Sequence, residues 1–264
     1  MENAPKNKIE IRPTGSYLET DAEGYLVNPA SPEKLQEKWK PIIDEVVEIS
    51  KEHWGNKLSH IYIRGSVAKG EAVEGVSDID FLIYVDLPEE EIKNGWTDAV
   101  EAALIEKYPF ATGIELGASP ASEIPEDHMF LNQSLLMYGE PIELRKMKPG
   151  KDVMRHLPGL GSRMAWLDNK IVKVDTPEET EKACAWFMKG ILRAGFEMTM
   201  ERSGRYTRDL YLCYKDFSEY YPDKEPLMRE ILDLALNPTK DKQKILEIKD
   251  QIVPWMMEEG KKYI

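Results

Sequence analysis

The sequence predicts an α/β amino-terminal domain followed by an all-α carboxy-terminal region, and three observations carry that division. Apolar runs with strand patterning, Leu58 to Arg64, Asp78 to Val85 and Thr112 to Ala118, alternate with helix-patterned stretches before residue 150. After Gly150 the pattern is helical alone, punctuated by turn signals at Pro158-Gly159, Ser203-Gly204, Pro222 and Asn237-Pro238. A chain of 264 residues has room for both parts, since domains run to about 100–200 residues each.

Residues 1–30 carry Pro, Gly and Asn without apolar periodicity and read as an arm. Ser31-Pro32-Glu33 supplies an N-cap and an N1 proline for a first helix with the stripe Leu35, Trp39, Ile42, Ile43, Val46, Val47 and Ile49, ending at Gly55. The strands 58–64 and 78–85 follow, and Pro88 with a Glu-rich start opens a helix through Ala99, Ala102, Leu104 and Ile105. Strand 112–118 comes after Pro109, with a fourth strand possible at Pro141–Leu144. With the boundary near 150, the domains are an arm at 1–30, an α/β domain at 31–150 and a helical domain at 151–264. Helices are expected at Glu178–Arg202, Thr207–Tyr221, Glu225–Leu236 and Lys240–Lys262, the last bent at Pro254. The glycine-bearing stretch Gly159-Leu-Gly161-Ser162-Arg163 could touch phosphate, but reads rather as a hinge or loop.

Composition narrows the class of function. With 42% hydrophobic and 31% charged residues the chain is globular rather than disordered. Met1 to Lys8 is polar, the two cysteines form no disulfide framework, and no apolar run approaches the roughly 20 residues of a membrane span, so the expected location is cytoplasmic. Thirty-five Lys and Arg against 48 Asp and Glu give a net charge of −13 with no basic stripe, which argues against a nucleic-acid partner. Between Asp86 and Asp127, eleven carboxylates face only Lys93 and Lys107; this block either aids solubility or favours a cationic partner. The histidines lack metal-site spacing, and His53, His60, His128 and His156 receive no role. Trp186, Phe187 and Met188 read as packing residues, and Tyr206 as the tyrosine best placed to stack on a ligand.

The chemistry concentrates in Ile61-Tyr-Ile-Arg-Gly65-Ser66-Val-Ala-Lys69-Gly70 and the following Gly75-Val-Ser77-Asp78-Ile-Asp80-Phe-Leu-Ile. A strand that ends in Gly-Ser and turns into a short helix points backbone N–H groups and a hydroxyl at one place, where phosphate is favoured. Twelve residues beyond Ser66, Asp78 and Asp80 lie two apart on a strand, so both carboxylates leave the same face. Two such carboxylates repel unless a cation lies between them, and hard oxygen donors suit Mg²⁺ carrying a nucleotide.

This arrangement resembles the nucleotidyltransferase superfamily of DNA polymerase β, closely over residues 58–118. The resemblance implies an α/β (α+β) nucleotidyltransferase domain with a small mixed sheet, followed by an all-α helical bundle. It also implies a third carboxylate from a following strand, Glu115 in Gly-Ile-Glu-Leu-Gly, with Glu143 as the alternative. The helical half, with its Ser203-Gly204 turn and the Arg208-Asp209 pair, looks like the streptomycin/spectinomycin-type aminoglycoside adenylyltransferases, antibiotic-resistance enzymes. From these likenesses Asp78, Asp80 and Glu115 are the expected catalytic and metal-binding residues, Glu115 as base or ligand; Gly65, Ser66, Ser77, Arg193 and Arg208 are the expected nucleotide contacts. The implied reaction is Mg²⁺-dependent transfer of a nucleoside monophosphate, AMP from ATP, to a hydroxyl of a small cationic molecule. A protein or RNA acceptor, and a nucleotide-binding module without turnover, are the alternatives. The stretch from Glu115 to Gly139 is much shorter than in the resistance enzymes, and their drug-gripping helical acid has Ala183 as its nearest position here.

Overall fold

The strand-patterned runs form β1 (Leu58–Arg64), β2 (Ile79–Val85) and β3 (Ile114–Pro120) in the computed structural model, which describes residues 8–124 and 128–264. A fourth strand, β4, is Ser134–Tyr138 rather than 141–144. The reason is local: Pro141 has no N–H to give a ladder, whereas Ser134 to Tyr138 pairs antiparallel with β1, and Gly139 turns the chain away at φ 101°. The strand order is β3-β2-β1-β4, with β2 and β3 parallel and the other pairs antiparallel, a small mixed sheet.

Period-two alternation divides the sheet's residues between its faces. Ile61, Ile63, Ile79, Phe81, Ile83, Ile114 and Leu116 join the apolar core with residues of helix α1 (Lys40–Trp54). That helix starts later than the stripe from Leu35 suggests. Pro41 in a helix begun at Pro32 would clash with the carbonyl four residues back, so two 3-10 turns, Pro32–Lys34 and Glu37–Trp39, precede it and Pro41 sits in its first turn. The short α2 (Gly65–Lys69) follows β1. The expected helix after Pro88 is two, α3 (Glu89–Ile92) and α4 (Trp96–Lys107), parted at Gly95 with φ 81°. Glu101 of α4 accepts the Leu116 N–H at 2.6 Å and so satisfies a donor of β3. On the other face Tyr62 and Tyr84 pack with Leu131 of α5 (His128–Leu131).

These elements belong to a compact unit, Val27–Met147; a second unit joins the chain up to Leu26 with Lys148–Ile264. Its helices are α6 (Leu160–Lys173), α7 (Pro177–Glu197), α8 (Met200–Ser203), α9 (Leu210–Tyr220), α10 (Glu225–Leu236) and α11 (Lys242–Gly260), the last carrying Pro254 inside. The stretch 159–163, expected as a hinge or loop, instead opens α6, because Leu160, Leu167 and Ile171 give that segment a buried stripe. Thr176 and Glu179 close a capping box on α7, so Glu179 serves the helix start. The arm runs along this unit: Thr207 Oγ1 donates to Ser16 O at 2.7 Å, Ser16 N to Asp209 Oδ2 at 2.8 Å and Tyr17 OH to buried Asp216 at 2.5 Å. Tyr206 is correspondingly buried in a turn covered by the arm, its carbonyl accepting the Leu18 N–H, and is not an open stacking surface. Cys184 and Cys213 are buried free thiols. Among the described residues no helix is long and apolar enough to cross a membrane.

Candidate active site

One rung of the sheet carries the polar residues of the site. Asp80 on β2 stands opposite Arg64 on β1 and opposite Glu115 on β3, while Arg64 stands opposite Ser134 on β4. Asp78 lies one residue before β2, and Ile79 between the two aspartates is fully buried, which sends both carboxylates to the side away from the apolar core. Oxygens of Asp78, Asp80 and Glu115 all lie within 4.8 Å of one another. Glu143, the alternative third acid, is exposed on the irregular segment after β4 and is not part of this cluster.

The three acids differ in surroundings. Asp78 and Glu115 are exposed and Asp80 is half-buried. Burial pushes the Asp80 carboxyl above its usual range, the Arg64 guanidinium opposes that, and the charges of Asp78 and Glu115 add to it. Arg64 Nε approaches Asp80 Oδ2 to 3.4 Å, and its guanidinium lies over the Phe130 ring at 5.0 Å. Arg64 is a residue the sequence reading passed over, although its place at the last position of β1, directly before Gly-Ser, marks it for the same rung as the strand-borne acid. An oxygen-only cluster with surplus negative charge is a fitting donor set for a hard divalent cation.

Gly65 has φ 79°, and a Cβ there would stand 3.6 Å from Asp80 Oδ2, an ordinary contact. Glycine is therefore required by the left-handed backbone rather than by lack of space. This conformation carries the chain from β1 into α2, whose first turn holds Ser66. Ser77 closes the turn ahead of Asp78: its Oγ accepts the Val73 N–H at 2.9 Å.

Gly65, Ser66, Ser77, Asp78, Asp80 and Glu115 thus lie in Val27–Met147, whereas Arg193 and Arg208 lie in the helical unit. There Arg193 of α7 donates through Nε to the Arg208 carbonyl at 3.4 Å; Arg208 is exposed in the loop before Asp209, the N-cap of α9. Trp186, expected as a packing residue, is exposed, paired with Trp166 at 4.1 Å between ring centroids; its neighbours Phe187 and Met188 are buried. The end of the acidic stretch, Glu126 and Asp127, lies outside the described residues, as do residues 1–7 of the arm and the side chain of His128.

Residues 43–126 match the family model of the nucleotidyltransferase domain, a span that contains every acid of the cluster together with Gly65, Ser66 and Ser77. No curated protein matches the chain. Among solved structures, the spectinomycin adenyltransferase AAD(9) from Enterococcus faecialis, determined with ATP and spectinomycin, aligns at 15% identity over 84% of this chain and 99% of its own, with a TM-score of 0.42.

Proposed function

We propose that this chain, whose residues 43–126 carry a nucleotidyltransferase domain, is an enzyme that moves a nucleoside monophosphate, AMP from ATP, onto a hydroxyl of a small cationic molecule. The observation that carries the reading is the convergence of Asp78, Asp80 and Glu115 oxygens beside the Gly65-Ser66 turn. In the balanced reaction the acceptor oxygen bonds to the α-phosphorus, the bond to the bridging oxygen breaks, and pyrophosphate leaves with that electron pair. Asp78 and Asp80 would hold Mg²⁺. When bound, the ion neutralises charge on the α-phosphate and the departing pyrophosphate. The Gly65-Ser66 turn supplies backbone N–H groups and a hydroxyl for phosphate oxygens. Glu115, exposed on β3, takes the acceptor's proton or completes the metal's ligand set. Arg193 and Arg208 enter as triphosphate contacts through the sequence resemblance alone, as does an aminoglycoside-like acceptor. The surplus of carboxylates between Asp86 and Asp127 favours a cationic acceptor and disfavours RNA.

The test is transfer of label from each of the four α-labelled nucleoside triphosphates, with Mg²⁺, to pooled aminoglycosides, proteins and tRNA. The expected result is labelling of a small amine-bearing acceptor from ATP, lost in Asp78→Asn. Labelling of a protein or of tRNA reassigns the acceptor. Tight nucleotide binding with no transfer to any pool makes the chain a binding module.

A further inference from the structure

Arg64 stands on the rung of the sheet that carries the acids, and the proposed reaction gives it no task. It is the last residue of β1; its register partner on β2 is Asp80, which in turn stands opposite Glu115 on β3. Directly opposed residues point to the same face, so the Arg64 side chain leaves the sheet on the side of the acids. There Nε lies 3.4 Å from Asp80 Oδ2, and the guanidinium rests over the Phe130 ring, 5.0 Å from its centroid. Among the described residues this is the one ion pair that reaches Asp78, Asp80 or Glu115.

The contact pairs charge without tethering the carboxylate. Arg64 Nε is buried and has no hydrogen-bond partner, so its N–H is not aimed at an Asp80 lone pair. A guanidinium that gripped the carboxylate through two directed hydrogen bonds would occupy both oxygens. Here Asp80 still offers an oxygen within 4.8 Å of oxygens from Asp78 and Glu115. The cation itself is held in place: its side chain is 29% exposed, Phe130 lies under it, and the strand register fixes its backbone. A positive charge therefore stands beside the acids whether or not a metal is bound.

We propose that Arg64 is a positioning residue that sets the charge of the acidic rung: it holds Asp80 in place while no metal is bound, and it keeps the affinity for a free divalent ion low, so that the ion enters with the nucleotide's phosphates rather than ahead of them. This role rests on Asp78, Asp80 and Glu115 being the metal's ligands in the proposed reaction. Without a cation the three carboxylates repel one another, and the guanidinium relieves part of that cost. A bare divalent ion at the cluster is repelled by Arg64 with nothing to offset it. An ion that carries phosphates brings negative charge that the same guanidinium attracts, so the penalty is cancelled.

Calorimetric titration of the full chain with MnCl₂, without nucleotide, tests the role. Arg64→Gln should bind Mn²⁺ about tenfold more tightly than the wild type, a gain that a merely structural residue would not give. The preformed Mn²⁺ complex of α,β-methylene-ATP, which cannot transfer AMP, should bind Arg64→Gln no more tightly than the wild type. In EDTA the thermal midpoint of Arg64→Gln should fall below that of the wild type, and saturating Mn²⁺ should restore it. Should Arg64→Gln fail to fold, Phe130→Leu, which keeps every charge and only unseats the guanidinium, should still bind Mn²⁺ more tightly than the wild type. Mn²⁺ binding that needs Asp78 yet is equal or weaker in Arg64→Gln overturns the role of Arg64 and leaves the metal site standing. Mn²⁺ binding indifferent to Asp78→Asn removes the acidic cluster as the metal site, and the role of Arg64 with it.

Discussion

Asp80 is the residue on which stability and the proposed chemistry pull in opposite directions. Its carboxyl titrates above the usual range because it is half-buried and flanked by two acids, with Arg64 only partly offsetting this. A raised folded pKa means the native state holds the proton more tightly than the unfolded chain. The group therefore favours folding below its unfolded pKa, and that contribution is lost as pH rises through the folded value. At neutral pH Asp80→Asn should leave the thermal midpoint level or higher, while turnover falls by more than about 100-fold through loss of charge stabilisation. A lowered midpoint would show that the Arg64 pair outweighs the repulsion. His156 has the opposite sign. Its depressed pKa of about 3 leaves it unprotonated where the unfolded ring, near 6.5, takes a proton. Its stability contribution is complete above pH 6.5 and lost as pH falls, by about 2 kcal/mol at pH 5. Urea midpoints of wild type and His156→Gln should converge as pH drops from 7 to 5, and parallel profiles would refute the assignment.

The elements that the sequence disclosed are those in which period and chemistry coincide. β1 and β2 alternate around buried isoleucines, and the Gly-Ser turn and the Asp-x-Asp pair fall at their ends, so sheet and acids could be read together. What escaped was set by tertiary partners or by one covalent detail: Pro41 delayed α1, and β4 exists because β1 has a free edge to pair. Three glycines from 150 to 161 obscured the stripe of α6. Arg64 is marked by its place before Gly-Ser, but its partner Asp80 is set only by the strand register. The arm is the largest of these cases, lacking periodicity because its order comes from hydrogen bonds to α9 and the loop before it. Tyr17→Phe leaves fully buried Asp216 with Arg205, at 3.3 Å, as its remaining polar partner among the described residues, and should destabilise the protein by about 1–3 kcal/mol. Chemical denaturation gives the value; an unchanged midpoint would mean that the arm is not held through Tyr17.

For the molecule as a whole, the legible part is the unit that carries the acids, because its chemistry needs particular residue types at fixed spacing, whereas a helical unit built on apolar stripes is compatible with many substrates. The division into Val27–Met147 and the remainder gives a bulk test that needs no acceptor. A ligand that binds only the native chain stabilises it by mass action, about 2.7 kcal/mol at 100 times its dissociation constant, or several degrees for a chain of this size. ATP with Mg²⁺ should give that full shift, because the oxygen cluster then meets the phosphates through a cation. ATP in EDTA should give a smaller one, since Asp78, Asp80 and Glu115 then repel the phosphates without a cation to mediate. Asp78→Asn should shrink the metal-dependent increment and leave the metal-free shift. Equal shifts with and without Mg²⁺ would remove the acids from the nucleotide site, and no shift with any of the four nucleoside triphosphates would remove the nucleotide.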